Sequence, residues 1–157
     1  TSATIMILFG AANTFGRILT MNRVPTMITD WMLSITSSRA MIMLMINIAL
    51  LIIGMFLDTI SSIVLFGPIF APIAIAIGYD PLHFGIIMVI NLCIGMITPP
   101  MGGNLFVAQR VSKTSFEEIF KDTFPMIIVL YILLALLIIF PEITMFLPKL
   151  LGYTFTG

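Results

Sequence analysis

The sequence predicts an all-α integral membrane protein, and three observations carry that prediction. Of 157 residues, 60% are hydrophobic and 9% charged, where soluble domains carry about 25% charge; mean hydropathy is +1.19. The charges that occur bracket uncharged runs at 1–16, 40–57, 59–79, 81–109 and 123–141. A spanning helix needs about 20 apolar residues, so each run is a candidate, the first two being marginal in length. Finally, two features stand where a plain spanning helix has none: the adjacent prolines Pro99 and Pro100, and the solitary carboxylate of Asp58.

Composition also excludes several classes. Seven Lys and Arg balance seven Asp and Glu, so nothing points to a nucleic-acid partner. The single Cys93 rules out an internal disulfide and reads as a small packing residue. No signal peptide is evident, and Thr1 opens on apolar sequence without an initiator Met, which predicts a fragment of a longer protein.

The elements follow in order. Residues 1–23 predict a transmembrane helix, with Arg17 snorkelling to the interface in preference to capturing a substrate carboxylate. Residues 24–38 predict an interfacial amphipathic helix: Val24, Met27, Ile28, Trp31, Met32 and Ile35 follow helical spacing, with Trp31 at headgroup level. Residues 39–79 predict a helical hairpin with its tip near 54–62 and a returning arm bent by Pro68 and Pro72. Two full spans joined by a surface loop at Asp58 fit the same residues, because both arms are long enough to cross. Residues 80–110 predict a discontinuous transmembrane helix broken at 95–103, started by Asp80 as N-cap and Pro81 in the first turn. His83 reads as a satisfied interfacial residue. Residues 111–122 predict a short amphipathic connector, in which Thr114 and Glu117 have capping-box spacing. Residues 123–152 predict the C-terminal transmembrane helix. Arginine and lysine are nearly level on the two sides, so orientation is weakly encoded.

The two interruptions carry the chemistry. Pro99 and Pro100 lack N–H groups and push Thr98 and Pro99 towards extended conformations. Carbonyls around Gly95, Met96 and Ile97 then lose their intrahelical partners, which at membrane depth is tolerated only inside protein or beside a wet cavity. Such carbonyls, with the Thr98 hydroxyl, suit a hard cation. Beyond the break, the N–H groups near Gly102, Gly103 and Asn104 start a half-helix whose positive end suits an anion. A simple proline kink is the plainer alternative. Asp58, flanked by apolar runs and preceded one turn earlier by Gly54, is a functional-site candidate by default. An intramembrane aspartyl protease would need two carboxylates together, and no nucleophile constellation is present; the chain does not read as an enzyme.

At these residues the chain resembles a known family. "GMFLDT", "PIFAPIAIAIGYDPLHFGIIMVINL", "IGMITPPMGGNLFV" and "FPEITMFLPKLLG" are similar to the second half of the large membrane subunit (DctM-like permease) of tripartite ATP-independent periplasmic (TRAP) transporters. The resemblance implies the second inverted repeat of an elevator-type transporter, with a re-entrant hairpin, a discontinuous helix and interfacial arm helices, the first repeat being absent here. It implies import of organic acids, such as C4-dicarboxylates or sialic acid, coupled to Na+. A DctP-like periplasmic binding protein and a DctQ-like small membrane subunit are the implied partners. Gly54, Asp58, Gly95 and Thr98 would contribute to a sodium site, and Thr98, Pro99, Pro100, Gly102 and Asn104 would border the substrate. The implied location is the bacterial inner membrane, with the 110–122 loop cytoplasmic and the C-terminus periplasmic. At Arg17 the family often carries an aromatic or apolar residue, so Arg17 takes no family role. Proton coupling through Asp58 and a non-transporting assembly subunit are the alternative readings.

Overall fold

The computed structural model describes residues 14, 17, 18, 21–36, 38–99 and 102–153. Most of the expected first helix, and Pro100, lie outside the described residues. Among those described, all regular structure is helical: α1 (Val24–Ile35), α2 (Arg39–Phe56), α3 (Thr59–Ala76), α4 (Pro81–Gly95), α5 (Gly103–Ser112), α6 (Phe116–Ile139) and α7 (Pro141–Leu150). Helices α2, α3 and α6 are long and apolar enough to cross a membrane. With 18 residues each, α2 and α3 reach about 27 Å, against a hydrocarbon core of about 30 Å. Their length therefore accommodates both the hairpin and the two-span reading.

Local chemistry sets most helix starts. The Asp80 Oδ1 accepts the N–H groups of Leu82 at 2.8 Å and His83 at 3.4 Å, satisfying donors that the first turn leaves orphaned. Asp58 does the same for α3, its Oδ2 accepting the Ser61 N–H at 3.0 Å. The cap of α6 falls one residue beyond the expected Thr114. Ser115 accepts the Glu118 N–H at 3.3 Å, while the Thr114 hydroxyl donates to the Ser112 carbonyl. Adjacent glutamates at 117 and 118 let the capping pattern fit twice.

Two expected boundaries differ. Instead of one connector over 111–122, Val111 and Ser112 finish α5, Lys113 turns the chain at φ 56°, and Phe116 opens α6. The C-terminal helix expected to run to 152 breaks at Phe140, which adopts φ −114° and ψ 78°. Pro141 disfavours helical backbone in the residue before it and then occupies the first position of α7, where no N–H is needed.

Helix α4 is the centre of the bundle, packed most extensively on α2 and also touching α3, α6 and α7. Ile42, Met43, Ile46 and Leu50 of α2 meet Phe84, Ile87 and Leu92 of α4, all at most 1% exposed. A polar clasp crosses the same interface. Asn91 Nδ2 donates to both the carbonyl (2.8 Å) and the Oδ1 (2.7 Å) of Asn47, whose own amide donates to the Met43 carbonyl. The outer faces remain apolar: Met126, Val129 and Ile139 of α6 are exposed, as suits a surface turned to lipid. In α1 the expected stripe divides. Met32 is buried and Ile28 packs beside it, whereas Met27, Trp31 and Ile35 stay exposed.

Candidate functional site

The end of α2 and the end of α4 cross at two glycines. A Cβ added to Gly95 would stand 2.7 Å from the Gly54 carbonyl carbon, 2.8 Å from the Gly54 Cα and 3.0 Å from the Leu51 carbonyl oxygen. One added to Gly54 would stand 2.9 Å from the Leu92 carbonyl oxygen. Only glycine lets the backbones approach this closely, a use of small residues common where membrane helices cross. Both residues therefore have a steric role that the sequence reading, which treated them as carbonyl donors, did not include.

This crossing brings the α2–α3 connection against the interruption between α4 and α5. Gly54, Leu57 and Asp58 share a cavity of about 200 Å³ with Met96, Gly103 and Phe106. Thr59, the first residue of α3, places its hydroxyl 3.2 Å from the Met96 sulfur, tying the two interruptions together from the other side. Asp58 itself is exposed. Its carboxylate caps α3 through the Ser61 N–H.

The interruption is more fully bonded than proline chemistry alone suggests. The Ile97 N–H bonds to the Ile94 carbonyl and the Thr98 N–H to that of Gly95, tightening the last turn of α4. The Asn104 N–H crosses the gap to the Met96 carbonyl at 3.1 Å. The Gly95 and Met96 carbonyls, expected to be open, thus each accept one hydrogen bond and retain a second lone pair. The amide of Asn104, expected to face an anion, is turned back into the break. Thr98 is half-buried and its hydroxyl donates to the Ile94 carbonyl at 2.7 Å, leaving the oxygen able to accept. Pro99 is half-buried in the turn. Gly102 is buried at φ 47°, a left-handed conformation that favours glycine. Of the predicted site residues, Gly54 and Asp58 line the cavity; Gly95 packs on Gly54 and does not line it, while Thr98, Gly102 and Asn104 lie along the chain that closes the break.

Sequence reasoning missed Asn47 and Asn91, which clamp α2 to α4 below the glycine crossing. An amide in an apolar run requires a partner, and that signal was present at both positions. Among the described residues there is no group of three or more His, Cys, Asp or Glu side chains. A cation here would rest on Asp58, hydroxyl and carbonyl oxygens, the donors of a hard ion.

The family model for the tripartite ATP-independent periplasmic transporter, DctM component, matches residues 1–143. The chain is 45% identical to the isethionate TRAP transporter permease protein DctMQ of Oleidesulfovibrio alaskensis, over 93% of this chain and 23% of that protein. It is 37% identical to the sialic acid TRAP transporter large permease protein SiaM of Vibrio cholerae, over 98% and 36% of the respective lengths. It is 39% identical to the C4-dicarboxylate TRAP transporter large permease protein DctM of Pseudomonas aeruginosa, over 95% and 35%. The chain thus spans between 23% and 36% of the length of these relatives.

Proposed function

Since this chain belongs to the DctM-component family of tripartite ATP-independent periplasmic transporters, we propose that it forms the second inverted repeat of an elevator-type permease importing organic acids with sodium. The family consists of membrane transporters, not enzymes. Relatives named for isethionate, sialic acid and C4-dicarboxylates support an organic anion as the substrate class. A small membrane subunit, a periplasmic binding protein and the first repeat would complete the assembly. The DctMQ name of one relative supports the small subunit. In this reading the protein sits in the bacterial inner membrane, with the loop between α5 and α6 cytoplasmic and the C-terminus periplasmic.

The observation that supports transport most is the juxtaposition of the α2–α3 connection and the α4–α5 interruption across one cavity. A membrane subunit with only an assembly role has no use for such a break. Sodium, a co-transported substrate, would take oxygens from Asp58, from the Gly54 and Gly95 carbonyls and from Thr98. The organic acid would lie along Thr98, Pro99, Pro100, Gly102 and Asn104. Binding of the ion would draw the α2–α3 tip against the break and so favour the arrangement the anion requires. That is linkage, typically worth about 1–3 kcal/mol. Sodium is favoured over proton coupling because Asp58 is exposed and accepts a backbone N–H, the role of an ionised carboxylate.

The test is Asp58→Asn in the intact transporter, reconstituted in vesicles with sodium and proton gradients dissipated separately. Asparagine keeps the cap of α3 and removes the charge. Sodium-driven uptake is expected to vanish while the protein remains folded. Full uptake by the variant would exclude Asp58 from coupling, and uptake that follows only the proton gradient would exclude sodium.

A further inference from the structure

At the end of the bundle opposite the break lies a larger cavity, of about 680 Å³. It forms where α2 and α4 begin and α3 and α6 end. Arg39, Asp80 and Lys149 line it together with the apolar Ile138, Ile139 and Met145. Charges gathered at the ends of apolar helices mark a membrane surface.

His83 lines this cavity and is 1% exposed. Its Nδ1 meets the Thr144 Oγ1. The Thr144 hydroxyl proton is committed to the Pro141 carbonyl at 2.9 Å, so the threonine oxygen accepts and His83 Nδ1 carries the proton. The hydrogen-bond network thereby assigns the neutral tautomer, with Nε2 a bare acceptor. That Nε2 is buried and without a partner among the described residues, a costly arrangement. Nearby, Arg39 uses one nitrogen on the Gly78 carbonyl at 2.7 Å and lies 5.3 Å from the Tyr79 ring centroid; its other donors are available. The Lys149 ammonium is paired with Glu142 at 3.0 Å. The site thus offers an acceptor beside a carboxylate, two cations, and an apolar wall.

We propose that this cavity holds the headgroup of an ethanolamine phospholipid. The ammonium supplies the N–H donor that His83 Nε2 lacks and a counter-charge for Asp80, whose Oδ1 already accepts from Leu82, His83 and the Tyr153 hydroxyl; the phosphate meets Arg39 and Lys149, and the first acyl carbons cover Ile139 and Met145. A choline headgroup has the phosphate but no N–H. A glycerol headgroup has hydroxyl donors but no positive charge for Asp80. Soluble phosphoethanolamine shares the polar chemistry and leaves the apolar wall bare.

The experiment measures lipid retention by the intact transporter, using native mass spectrometry with phosphatidylethanolamine, phosphatidylcholine and phosphatidylglycerol of identical chains. Wild type is expected to retain phosphatidylethanolamine about tenfold better than phosphatidylcholine, the effect of one charge-assisted hydrogen bond. His83→Phe preserves the ring against Tyr79 and should abolish that preference. Arg39→Gln should weaken both lipids alike. Equal retention of the two by wild type, stronger retention of phosphatidylglycerol, or a preference surviving His83→Phe would overturn the proposal. Displacement by free phosphoethanolamine at equal concentration would give the site to a soluble ligand and overturn the lipid assignment. Should His83→Phe fail to fold, the wild-type comparison decides alone.

Discussion

Replacing Gly95 by alanine tests whether backbone contact at the α2–α4 crossing builds the cavity. The added Cβ would lie 2.7 Å from the Gly54 carbonyl carbon, and every close neighbour is main chain, so no side chain can rotate away. The helices must part by about 0.7 Å, the gap between that approach and the 3.4 Å of ordinary contact. Overpacking of this kind costs about 1–3 kcal/mol. Alanine's better helix propensity returns at most about 1 kcal/mol, so the net effect is destabilising. Gly67 and Gly85 provide internal controls. Both lie within helices, α3 and α4, and a Cβ on either meets nothing within 4 Å. Gly67→Ala is expected to be neutral or stabilising by about 0.5–1 kcal/mol. The assay is unfolding of the intact permease in detergent, with uptake measured in vesicles. Gly95→Ala should lower stability and impair transport, while Gly67→Ala should do neither. If Gly95→Ala were as stable and active as wild type, or if Gly67→Ala were equally damaging, steric contact would not govern this crossing.

Other substitutions separate the remaining contacts, each read by unfolding of the intact permease. Asp80→Ala removes the cap of α4 and should cost about 1 kcal/mol, whereas Asp80→Asn should cost a few tenths. Asn91→Leu leaves the Asn47 side-chain oxygen buried without a donor and should cost about 1–3 kcal/mol. Adding Asn47→Leu should recover part of that loss, and a fully additive double variant would argue against the clasp. Ser115→Ala should cost about 1 kcal/mol and Thr114→Ala little; the reverse order would return the α6 cap to Thr114.

The features legible in sequence are those written in adjacent residues. Pro99 and Gly102 stand between α4 and α5, with Gly103 opening α5, because neither proline nor glycine supports a continuous helix, and Asp80–Pro81 is a helix start by its own chemistry. Asp58 stands out because its charge is alone. What escaped the sequence depends on partners far along the chain. Gly54 and Gly95 announce flexibility locally, and only their encounter makes them a contact. Asn47 and Asn91 lie 44 residues apart, with no local pattern to join them. His83 and Thr144 are separated by 61 residues, so the burial of His83 could not be read from its own turn. The α6–α7 break is written in Pro141 and in the Glu142 that follows it, which together start a new helix.

The bond from Asn104 to Met96 has a mechanical consequence. A gap in a helix is usually pictured as a hinge, but one stitched across by its own main chain behaves as a bracket. The α4–α5 wall of the cavity is therefore held in place, and on the proposed transport reading a guest would lose little affinity to ordering it. Any rearrangement on occupancy would then fall to the opposite wall, where Leu57 and Asp58 alone join two long helices and a small rotation at the joint would be amplified along both.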